Sequence, residues 1–473
     1  MPSFPNRAAA GLALATAAAL ALIPTAAATA APAPTAAAAS AHADSVTTAD
    51  GRTFITDRQG RALQLRGFNA GKWNDDRLTA ADVADMADQG FNFLRLIVQW
   101  EKFEPEQGEY DEAYFDYVDS VLAAADREGV HVMIDMHQDV YGPAFGHNGI
   151  PEWATRTDGL PFVREPGNWF NGYFQPGVMR AFTHLYEDAD LREAQERLWV
   201  TVAERFGGHR SLLGYDLFNE PFGEFREGED LIAASARIEA TQLSDMYDRV
   251  IAAIRTVDDD SWVFVEPTVL VGYGVPTQLR SFDDPKVAYA PHFYNTGVED
   301  GGDWPGDDGF VENYEAAISA YAVEHGMPLI VGEWGVPNSR TPGNAALVAA
   351  QVESMERFAT GWAMFYWCRS DRGGYCALDG QGLAAPGNEP AFGPYARATA
   401  GIPGTEHFES ATGEYTMTYT AGAGATEIRV PASVYGDRPV VQVTGGKAHY
   451  DARAQTLRVT AKPGTAVSVV LTR

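Results

Sequence analysis

Cysteine is nearly absent from this chain. Its 473 residues include two cysteines, Cys368 and Cys376, which stand eight positions apart. Because there are so few thiols and no His-x-x-x-His pair, neither a bound metal nor a cofactor is expected. In an exported protein the two cysteines are expected to form a local disulfide, and two free buried thiols are the alternative.

Positive charge is scarce as well. The chain has 35 Lys and Arg against 64 Asp and Glu, which gives a formal net charge of −29. Binding to nucleic acid requires clustered basic residues, so no nucleic-acid partner is expected. The same balance argues against electrostatic docking onto anionic lipid. A strongly acidic surface favours solubility and self-repulsion, and we expect a monomer.

Long hydrophobic runs are missing except near the N-terminus, where residues 8–23 are rich in Ala and Leu. A short head with one Arg precedes this run, and a tract of Ala, Thr and Pro follows Pro24. Residues 1–43 are therefore predicted to be a secretory signal peptide and a low-complexity spacer, and the protein to be secreted. A membrane anchor is the alternative, although alanine is weakly hydrophobic and Pro24 interrupts the run.

Short apolar runs alternate with amphipathic stretches between residues 44 and 402. Eight of these runs are predicted to be strands, at residues 63–68, 91–98, 130–136, 213–219, 262–266, 287–293, 329–333 and 362–367. Eight strands alternating with helices predict a (β/α)8 TIM barrel. A doubly wound sheet is the alternative, but no G-x-G-x-x-G follows the first strand.

Three helical stretches and one long loop are predicted in detail. Residues 79–89 are expected to form a helix with Thr79 as N-cap, and residues 111–128 a helix that ends at Gly129. Residues 229–257 are expected to form a single long helix. Residues 137–190 are rich in aromatic residues and lack clear periodicity, which is typical of a functional loop.

Residues 403–473 differ in character from the rest of the chain. Gly, Thr and Val dominate, and runs of period-two alternation are separated by turn residues. This pattern predicts a small C-terminal antiparallel β-sandwich, whose expected role is to pack against the barrel.

Polar and aromatic side chains follow every predicted barrel strand. Enzymes with this fold carry their chemistry at the carboxyl ends of the strands. The residues found there are Asn69, Lys72, Arg95, Trp100, His137, Asp139, Asn219, Glu220, Glu266, His292, Tyr294, Glu333, Trp334 and Trp367.

Two of these carboxylates, Glu220 and Glu333, end the fourth and seventh strands. Strands four and seven lie across a barrel mouth from each other, so both side chains can face one pocket. Retaining glycosidases need two carboxyl groups about 5–5.5 Å apart, one to protonate the leaving oxygen and one to attack the anomeric carbon. Two unrelated acids at the barrel rim are the alternative.

The strand ends resemble those of glycoside hydrolase family 5, a retaining (β/α)8 family. The resemblance rests on Asn219-Glu220-Pro221, on Glu333-Trp334-Gly335, on Arg95 in a Phe-Leu-Arg-Leu strand and on His292-x-Tyr294. It implies that Glu220 is the acid/base and that Glu333 is the nucleophile.

The same resemblance implies roles for neighbouring side chains, each of which could instead serve only the fold. Asn219 would hold the sugar 2-hydroxyl, and Arg95 would keep the nucleophile ionised. Tyr294 would lie beside the nucleophile and His292 near the acid/base, while Trp367 would form the floor on which the sugar stacks.

Further motifs resemble the endoglycoceramidase subgroup, whose members cut the β-glucosidic bond between an oligosaccharide and ceramide. These motifs are Gly67-Phe-Asn-Ala-Gly-Lys72, Asp135-Met-His-Gln-Asp139 and Asn168-Trp-Phe-Asn-Gly-Tyr-Phe174, together with the C-terminal sandwich. By this resemblance His137 and Asp139 would bind glycone hydroxyls, with Lys72 and Trp169 around the same sugar. The expected substrate is a glycosphingolipid.

The aromatic residues of the 137–190 loop agree with a lipid substrate, because burial of an alkyl chain contributes about 0.8 kcal/mol per methylene. The alternative is that these rings pack the loop onto the barrel. The disulfide expected at Cys368 and Cys376 departs from the family's usual loop and leaves the specificity open. A relative that acts on β-glucans, aryl β-glucosides or galactosylceramides, and an inactive carbohydrate- or lipid-binding protein, are the alternative functions.

Overall fold

The computed structural model describes residues 44–72, 77–165, 167–306 and 309–473. The predicted signal peptide and spacer lie outside the described residues. All described residues belong to one compact unit. Within these ranges, no helix is both long enough and apolar enough to cross a membrane.

Three short strands precede the barrel. They are β1 (Ser45–Thr47), β2 (Thr53–Ile55) and β3 (Ala62–Leu63). β1 and β2 pair as an antiparallel hairpin, and β3 pairs with a strand that follows the barrel.

A parallel sheet of nine strand segments forms the barrel. The segments are β4 (Leu65–Ala70), β5 (Phe93–Val98), β6 (His131–Met136), β7 (Leu212–Asp216), β8 (Trp262–Val265), β9 (Val287–Tyr289), β10 (His292–Phe293), β11 (Ile330–Trp334) and β12 (Gly361–Met364). These segments are almost entirely buried and rich in Val, Ile, Leu and Phe, as expected of parallel strands covered on both faces.

The sheet closes through the sixth strand of the barrel, which Pro291 divides into β9 and β10. β9 pairs with β8, and β10 pairs with β11, so one strand in two pieces joins the two ends of the sheet. A proline lacks the N–H that a ladder requires, which accounts for the interruption. Eight strands therefore surround the core, and the predicted (β/α)8 barrel is confirmed.

Helices alternate with the strands of the barrel, and the last helix in the chain lies between two strands that follow the barrel. The helices are α1 (Ala80–Asp88), α2 (Trp100–Phe103), α3 (Glu112–Glu128), α4 (Pro176–Glu187), α5 (Ala189–Phe206), α6 (Leu231–Ile238), α7 (Ser244–Ile254), α8 (Thr296–Glu299), α9 (Phe310–His325), α10 (Pro342–Phe358) and α11 (Ala432–Tyr435). Thr79 caps α1 in a reciprocal capping box with Asp82, as the sequence predicts. Asp111 caps α3, and Gly129 ends it in a left-handed conformation.

The long helix expected at 229–257 is confirmed from Leu231 to Ile254, but it contains a π-helical turn, Glu239–Leu243, between α6 and α7. Glu239 is fully buried in this turn and accepts hydrogen bonds from the loop after β8, at Thr268, Thr277 and Gln278. The end of the loop predicted at 137–190 is wrong, because α4 begins at Pro176, a favoured first residue of a helix.

Two antiparallel sheets follow the barrel. One has the order β14 (Gly401–Glu409), β15 (Glu414–Ala421), β20 (Ala466–Thr472) and β17 (Val440–Thr444). The other has the order β18 (Lys447–Asp451), β19 (Thr456–Thr460), β16 (Ala425–Arg429), β13 (Tyr395–Thr399) and β3. Their inner faces form a separate core that includes Tyr415, Ile428 and Val469. The sandwich predicted after the barrel is confirmed, and the boundary predicted between 402 and 403 falls within β14.

The sandwich is attached to the barrel through a buried ion cluster. Arg66 of β4 lies 3.3 Å from Glu356 of α10 and 3.7 Å from Glu406 of β14. Its guanidinium also faces the Tyr395 ring at 4.9 Å. Burial raises the pKa of Glu406, while Arg66 opposes that rise. A buried cation bound from three elements ties the sandwich to the base of the barrel.

Candidate active site

Alternation along the barrel strands places the polar side chains in one layer. Side chains two positions apart point to the same side of a strand. Phe93 is followed by Arg95, Met133 by Asp135, and Phe264 by Glu266. The first member of each pair belongs to an apolar cluster inside the barrel, and the second is a buried charged group. The polar layer therefore lies above a packed floor, towards the carboxyl ends of the strands.

Arg95 is the centre of this layer and is fully buried. Its three nitrogens contact six side chains from five different strand ends. The partners and distances are Asn69 at 2.9 Å, Glu333 at 2.7 Å, Asn219 at 2.9 Å, Glu266 at 2.5 Å, Asp216 at 2.9 Å and Asp135 at 3.0 Å. A planar guanidinium with five N–H donors suits this arrangement, and a lysine does not.

The charges in the layer are balanced by protonation. Burial and the neighbouring Glu266 raise the pKa of Asp216 well above its ordinary value. Burial would also raise the pKa of Glu266, but His292 and Arg95 lower it to about 2. Burial lowers the pKa of His137, but Asp135 and Asp139 raise it to about 9. Three groups of three side chains in this layer have the spacing of metal ligands: Asp135, His137 and Glu333; Glu220, His292 and Glu333; and Asp135, Asp216 and Glu266. Positive charge is already supplied there by Arg95, His137 and His292.

Glu333, at the end of β11, is held ready as an anion. One carboxylate oxygen accepts from Arg95, and the other accepts from the Tyr294 hydroxyl at 2.9 Å. Burial opposes ionisation, but the charges of His292 and Arg95 hold the pKa of Glu333 below its ordinary value. Arg95 and Tyr294 thus both contact Glu333, as the resemblance implies.

Glu220 follows β7 on a strained backbone. Its φ is 44°, in the left-handed region, which costs a non-glycine residue on the order of 1–3 kcal/mol. Its backbone N–H donates to Glu266 at 2.8 Å, and its carbonyl accepts from Gln138 at 3.0 Å. Such strain persists only where neighbouring contacts fix the conformation, and here they aim the carboxyl group across the mouth.

The Glu220 carboxyl group has two side-chain partners. His292 Nδ1 lies 2.8 Å from Oε1, and the Tyr173 hydroxyl donates to Oε2 at 3.2 Å. Burial raises the pKa of Glu220, His292 opposes that rise, and the negative charge of Glu333 adds to it. The predicted position of His292 beside Glu220 is found in the structure.

The two carboxylates have the spacing of a retaining pair. Oxygen atoms of Glu220 and Glu333 lie within 4.8 Å of one another, with His292 in the same group. Retaining glycosidases place their carboxyl groups about 5–5.5 Å apart, and inverting ones about 6.5–9.5 Å apart. A raised pKa at Glu220 and a lowered pKa at Glu333 suit the first to act as the acid and the second as the nucleophile at a single site.

A cluster of charged side chains lies at the ends of β4 and β6. Lys72 Nζ is 2.6 Å from Asp139, and His137 Nε2 is 3.3 Å from the same carboxylate. His137 is in turn held by Asp135 at 2.8 Å. The pKa of Lys72 is raised by Asp139 and Glu333 despite its burial. These are charged donors and acceptors of the kind that bind sugar hydroxyls.

Asn219 is fixed at both ends of its amide. Its oxygen accepts from Arg95, and its nitrogen donates to the carbonyl of Gln138 at 2.9 Å. The nitrogen carries a second hydrogen, which it would donate to a sugar hydroxyl.

The structure does not bring Trp367 to the carboxylates. Trp367 follows the end of β12 and packs in the main core, 4.9 Å from the Phe68 ring. Phe365 and Tyr366 instead belong to a small cluster with Tyr294 at the mouth. The expected sugar floor at Trp367 is therefore wrong.

The aromatic loop mainly packs onto the barrel. Tyr141, Phe145 and Tyr173 are buried, and most of the other rings of this loop are half-buried against the main core. Trp169 is an exception, with 42% of its surface exposed. Its ring lies 6.1 Å from that of Tyr173, so it stands at the outer edge of the site.

Several residues that shape the site have no predicted role. Tyr173 and Gln138 hold Glu220 from a loop, and Asp135 and Asp216 hold Arg95 from inside strands. The two aspartates interrupt apolar runs at inward positions, a signal visible in the sequence. The loop contacts leave no such signal, because their partners are distant in the chain.

The structure shows the disulfide between Cys368 and Cys376. It closes a hairpin after β12 in which the Tyr366 N–H donates to the Tyr375 carbonyl at 2.9 Å. The Tyr366 hydroxyl accepts from the backbone N–H groups of Gly71 and Lys72. The bridged hairpin is thereby joined to the loop that carries Lys72.

A depression also lies at the opposite end of the barrel from the candidate site. It has a volume of about 670 Å³ and includes His131, Ser211 and Lys286, at or before the amino ends of their strands. Chemistry in this fold occurs at the other face, so this depression is not part of the candidate site.

Comparison with known proteins adds family matches over most of the chain. A model described as Cellulase (glycosyl hydrolase family 5) matches residues 56–372, and the Glycoside hydrolase family 5 C-terminal domain matches residues 394–471. Endoglycoceramidase I of Rhodococcus hoagii (strain 103S) is 27% identical over 474 residues, or 91% of this chain and 89% of that protein. Endoglycoceramidase of Hydra vulgaris is 30% identical over 227 residues, and this alignment spans only 43% of either protein.

Solved structures of endo-glycoceramidase II from Rhodococcus sp. resemble the whole described chain. Its ganglioside GM3 complex has a TM-score of 0.79 and 31% identity, covering 89% of this chain and 100% of that one. Its lactosyl-enzyme intermediate has a TM-score of 0.76 and 32% identity, covering 89% and 99%.

Proposed function

This chain belongs to glycoside hydrolase family 5, and on that premise we propose that it hydrolyses the β-glycosidic bond between sugar and ceramide in glycosphingolipids with retention. The observation that carries the proposal is the pair Glu220 and Glu333, whose oxygens lie within 4.8 Å and whose pKa values are shifted in opposite directions. The endoglycoceramidases that the chain resembles over most of its length support the choice of substrate.

The first half of the reaction forms a glycosyl-enzyme ester. A Glu333 oxygen attacks the anomeric carbon while the bond to the ceramide oxygen breaks, and the Glu220 proton passes to that oxygen. Arg95 and Tyr294 hold the attacking carboxylate in place through hydrogen bonds to its two oxygens. Ceramide leaves as the alcohol, and Glu220 is left ionised beside His292.

The second half returns the enzyme to its starting state. Glu220 takes a proton from water, the resulting oxygen attacks the anomeric carbon, and the bond to Glu333 breaks. The sugar leaves with its original configuration, because each of the two displacements inverts the anomeric carbon. Lys72, His137 and Asp139 would hold the glycone hydroxyls during both steps.

The substrate proposal is tested by mass spectrometry of products from a mixed glycosphingolipid pool, with carboxymethylcellulose as the competing substrate class. We expect intact oligosaccharides and ceramides as paired products, and little release from the polymer. Faster cleavage of the polymer, or removal of single terminal sugars, would contradict the proposal.

We also propose that the protein is exported and acts as a monomer. The composition of residues 1–43 supports export, and the net charge of −29 supports self-repulsion. N-terminal sequencing of protein from culture medium should begin after the alanine-rich tract. Light scattering of the mature protein should give the mass of one chain, and a dimer mass would contradict the second part.

A further inference from the structure

An arc of contacts connects the two carboxylates around one half of the mouth. Tyr173 donates to Glu220, and its ring lies 5.8 Å from that of Phe170. The Phe170 ring meets Tyr273 edge-on at 5.4 Å. On the other side Tyr294 donates to Glu333, and its ring lies 6.3 Å from that of Tyr375.

Glu299, the last residue of α8, completes the arc. Its carboxylate accepts from the Tyr273 hydroxyl at 2.8 Å and from the Tyr375 hydroxyl at 2.6 Å. Three loops meet at this one carboxylate, namely those after β8, β10 and β12. The disulfide beside Tyr375 fixes the last of them.

The carboxylate retains the capacity to bind a ligand. An ionised carboxylate offers about four acceptor positions, and the two tyrosines occupy two of them. The Glu299 side chain is only partly buried. Burial raises the pKa of Glu299 to about 7, the two tyrosines oppose that rise, and the charges of Glu220 and Glu333 add to it. Its partners Tyr273 and Tyr375 both pack against the cluster that contains Tyr294, so Glu299 lies beside the catalytic cleft.

Two parts of the mouth differ in chemistry. Lys72, His137 and Asp139, which follow β4 and β6, present charged groups that suit sugar hydroxyls. The arc, built from residues that follow β6, β8, β10 and β12, presents aromatic rings with a single carboxylate. A ceramide has alkyl chains together with an amide N–H and a hydroxyl a few bonds from the glycosidic oxygen. Rings for the chains and one acceptor for the two polar hydrogens match that pattern.

We propose that Glu299 is a specificity-determining residue, which accepts hydrogen bonds from the amide N–H and the adjacent hydroxyl of the ceramide leaving group. This inference rests on the proposed function and deepens it. Tyr273 and Tyr375 hold the carboxylate in place, and the aromatic arc lines the path of the alkyl chains.

The test compares two substrates that share a sugar and a long alkyl chain. Lactosylceramide carries the amide and the hydroxyl, and an octadecyl β-lactoside carries neither. For Glu299→Ala we expect kcat/KM for lactosylceramide to fall by about tenfold or more, the loss typical of a hydrogen bond to a charged group. Activity on the alkyl lactoside should stay within about twofold, since no polar contact is lost there.

Two further variants keep the test decisive. Glu299→Gln retains the shape of the side chain and an acceptor oxygen, so it should fold and show a smaller loss in the same direction. Glu312→Gln, on the exposed face of α9, is the matched control and should change neither substrate.

Equal losses on both substrates in Glu299→Ala and Glu299→Gln would overturn the inference, because a residue that only fastens loops affects both. Unchanged activity on both would overturn it as well. Failure of the underlying function has another signature, namely wild-type protein that cleaves the alkyl lactoside but not lactosylceramide.

Discussion

At the scale of single residues, two glutamates differ in how readily they hold a proton. Burial favours the neutral form of Glu220, whereas Arg95, His292 and Tyr294 favour the ionised form of Glu333. Two like groups a few ångströms apart therefore acquire different roles from their surroundings.

Removing the proton donor should slow cleavage most for substrates whose leaving oxygen needs a proton. Glu220→Gln should lower kcat/KM for lactosylceramide by about 10²–10⁴-fold, the usual contribution of a general acid. An aryl lactoside with an acidic leaving group should lose much less in the first step, because its oxygen departs without a proton. Stopped-flow release of the aryl group measures this difference, and equal losses on both substrates would argue against Glu220 as the acid.

The pH profile should be bell-shaped. Activity rises with pH as Glu333 ionises, below the ordinary carboxyl pKa of 4.5, and falls as Glu220 loses its proton above that value. His292 lowers the pKa of both groups, so His292→Gln should move both limbs of kcat/KM to higher pH. Limbs that stay in place or move to lower pH would contradict this account of the electrostatics.

Arg95 should also carry much of the fold's stability. Arg95→Met leaves four buried carboxylates without their shared cation, and loss of one partner of a buried pair costs about 3–5 kcal/mol. Arg205→Met is the matched control, since Arg205 binds Asp116 and Asp119 at the surface, where a pair contributes about 0–1 kcal/mol. Urea unfolding compares the two, and similar losses would show that Arg95 is not such a centre.

Sequence reasoning identified the residues at strand ends and missed those on loops. Glu220, Glu333, Arg95 and His292 lie in or directly after apolar strands, and the fold brings such positions together. The prediction for Trp367 failed because this residue lies beyond the end of β12 and its side chain packs in the main core. Glu299 carried no signal, since its two tyrosines come from loops about 26 and 76 residues away.

At the scale of elements, the long connections shape the site more than the strands do. The segment after β6 supplies Gln138 and Tyr173, and the hairpin after β12 supplies Tyr375. Strand and helix positions were predictable because buried parallel strands and capped helices have strong patterns. The π-helical turn at Glu239–Leu243 was not, because its cause is a buried glutamate that binds a distant loop.

The disulfide hairpin should contribute measurable stability. In the chain-entropy model a bridge that closes a loop of this size contributes about 2–3 kcal/mol. Reductant should therefore lower the thermal midpoint of the wild type, measured by calorimetry. The double variant Cys368→Ser, Cys376→Ser should start at the lower midpoint and show no response. A wild type that ignores reductant would contradict a stabilising role.

At the scale of the whole molecule, barrel and sandwich share a buried boundary. Arg66, Glu356 and Glu406 join β4, α10 and β14, and β3 pairs directly with β13 of the sandwich. The barrel and the sandwich were each predictable from periodicity. Their attachment was not, because residues from three separate parts of the chain form it.

The central claim is that one pair of glutamates releases an intact glycan from ceramide with retention. The most direct measurement is proton NMR of the sugar first released from lactosylceramide, followed before mutarotation. The account predicts lactose in the β configuration. Lactose that appears first as the α anomer, or galactose in place of lactose, would contradict it.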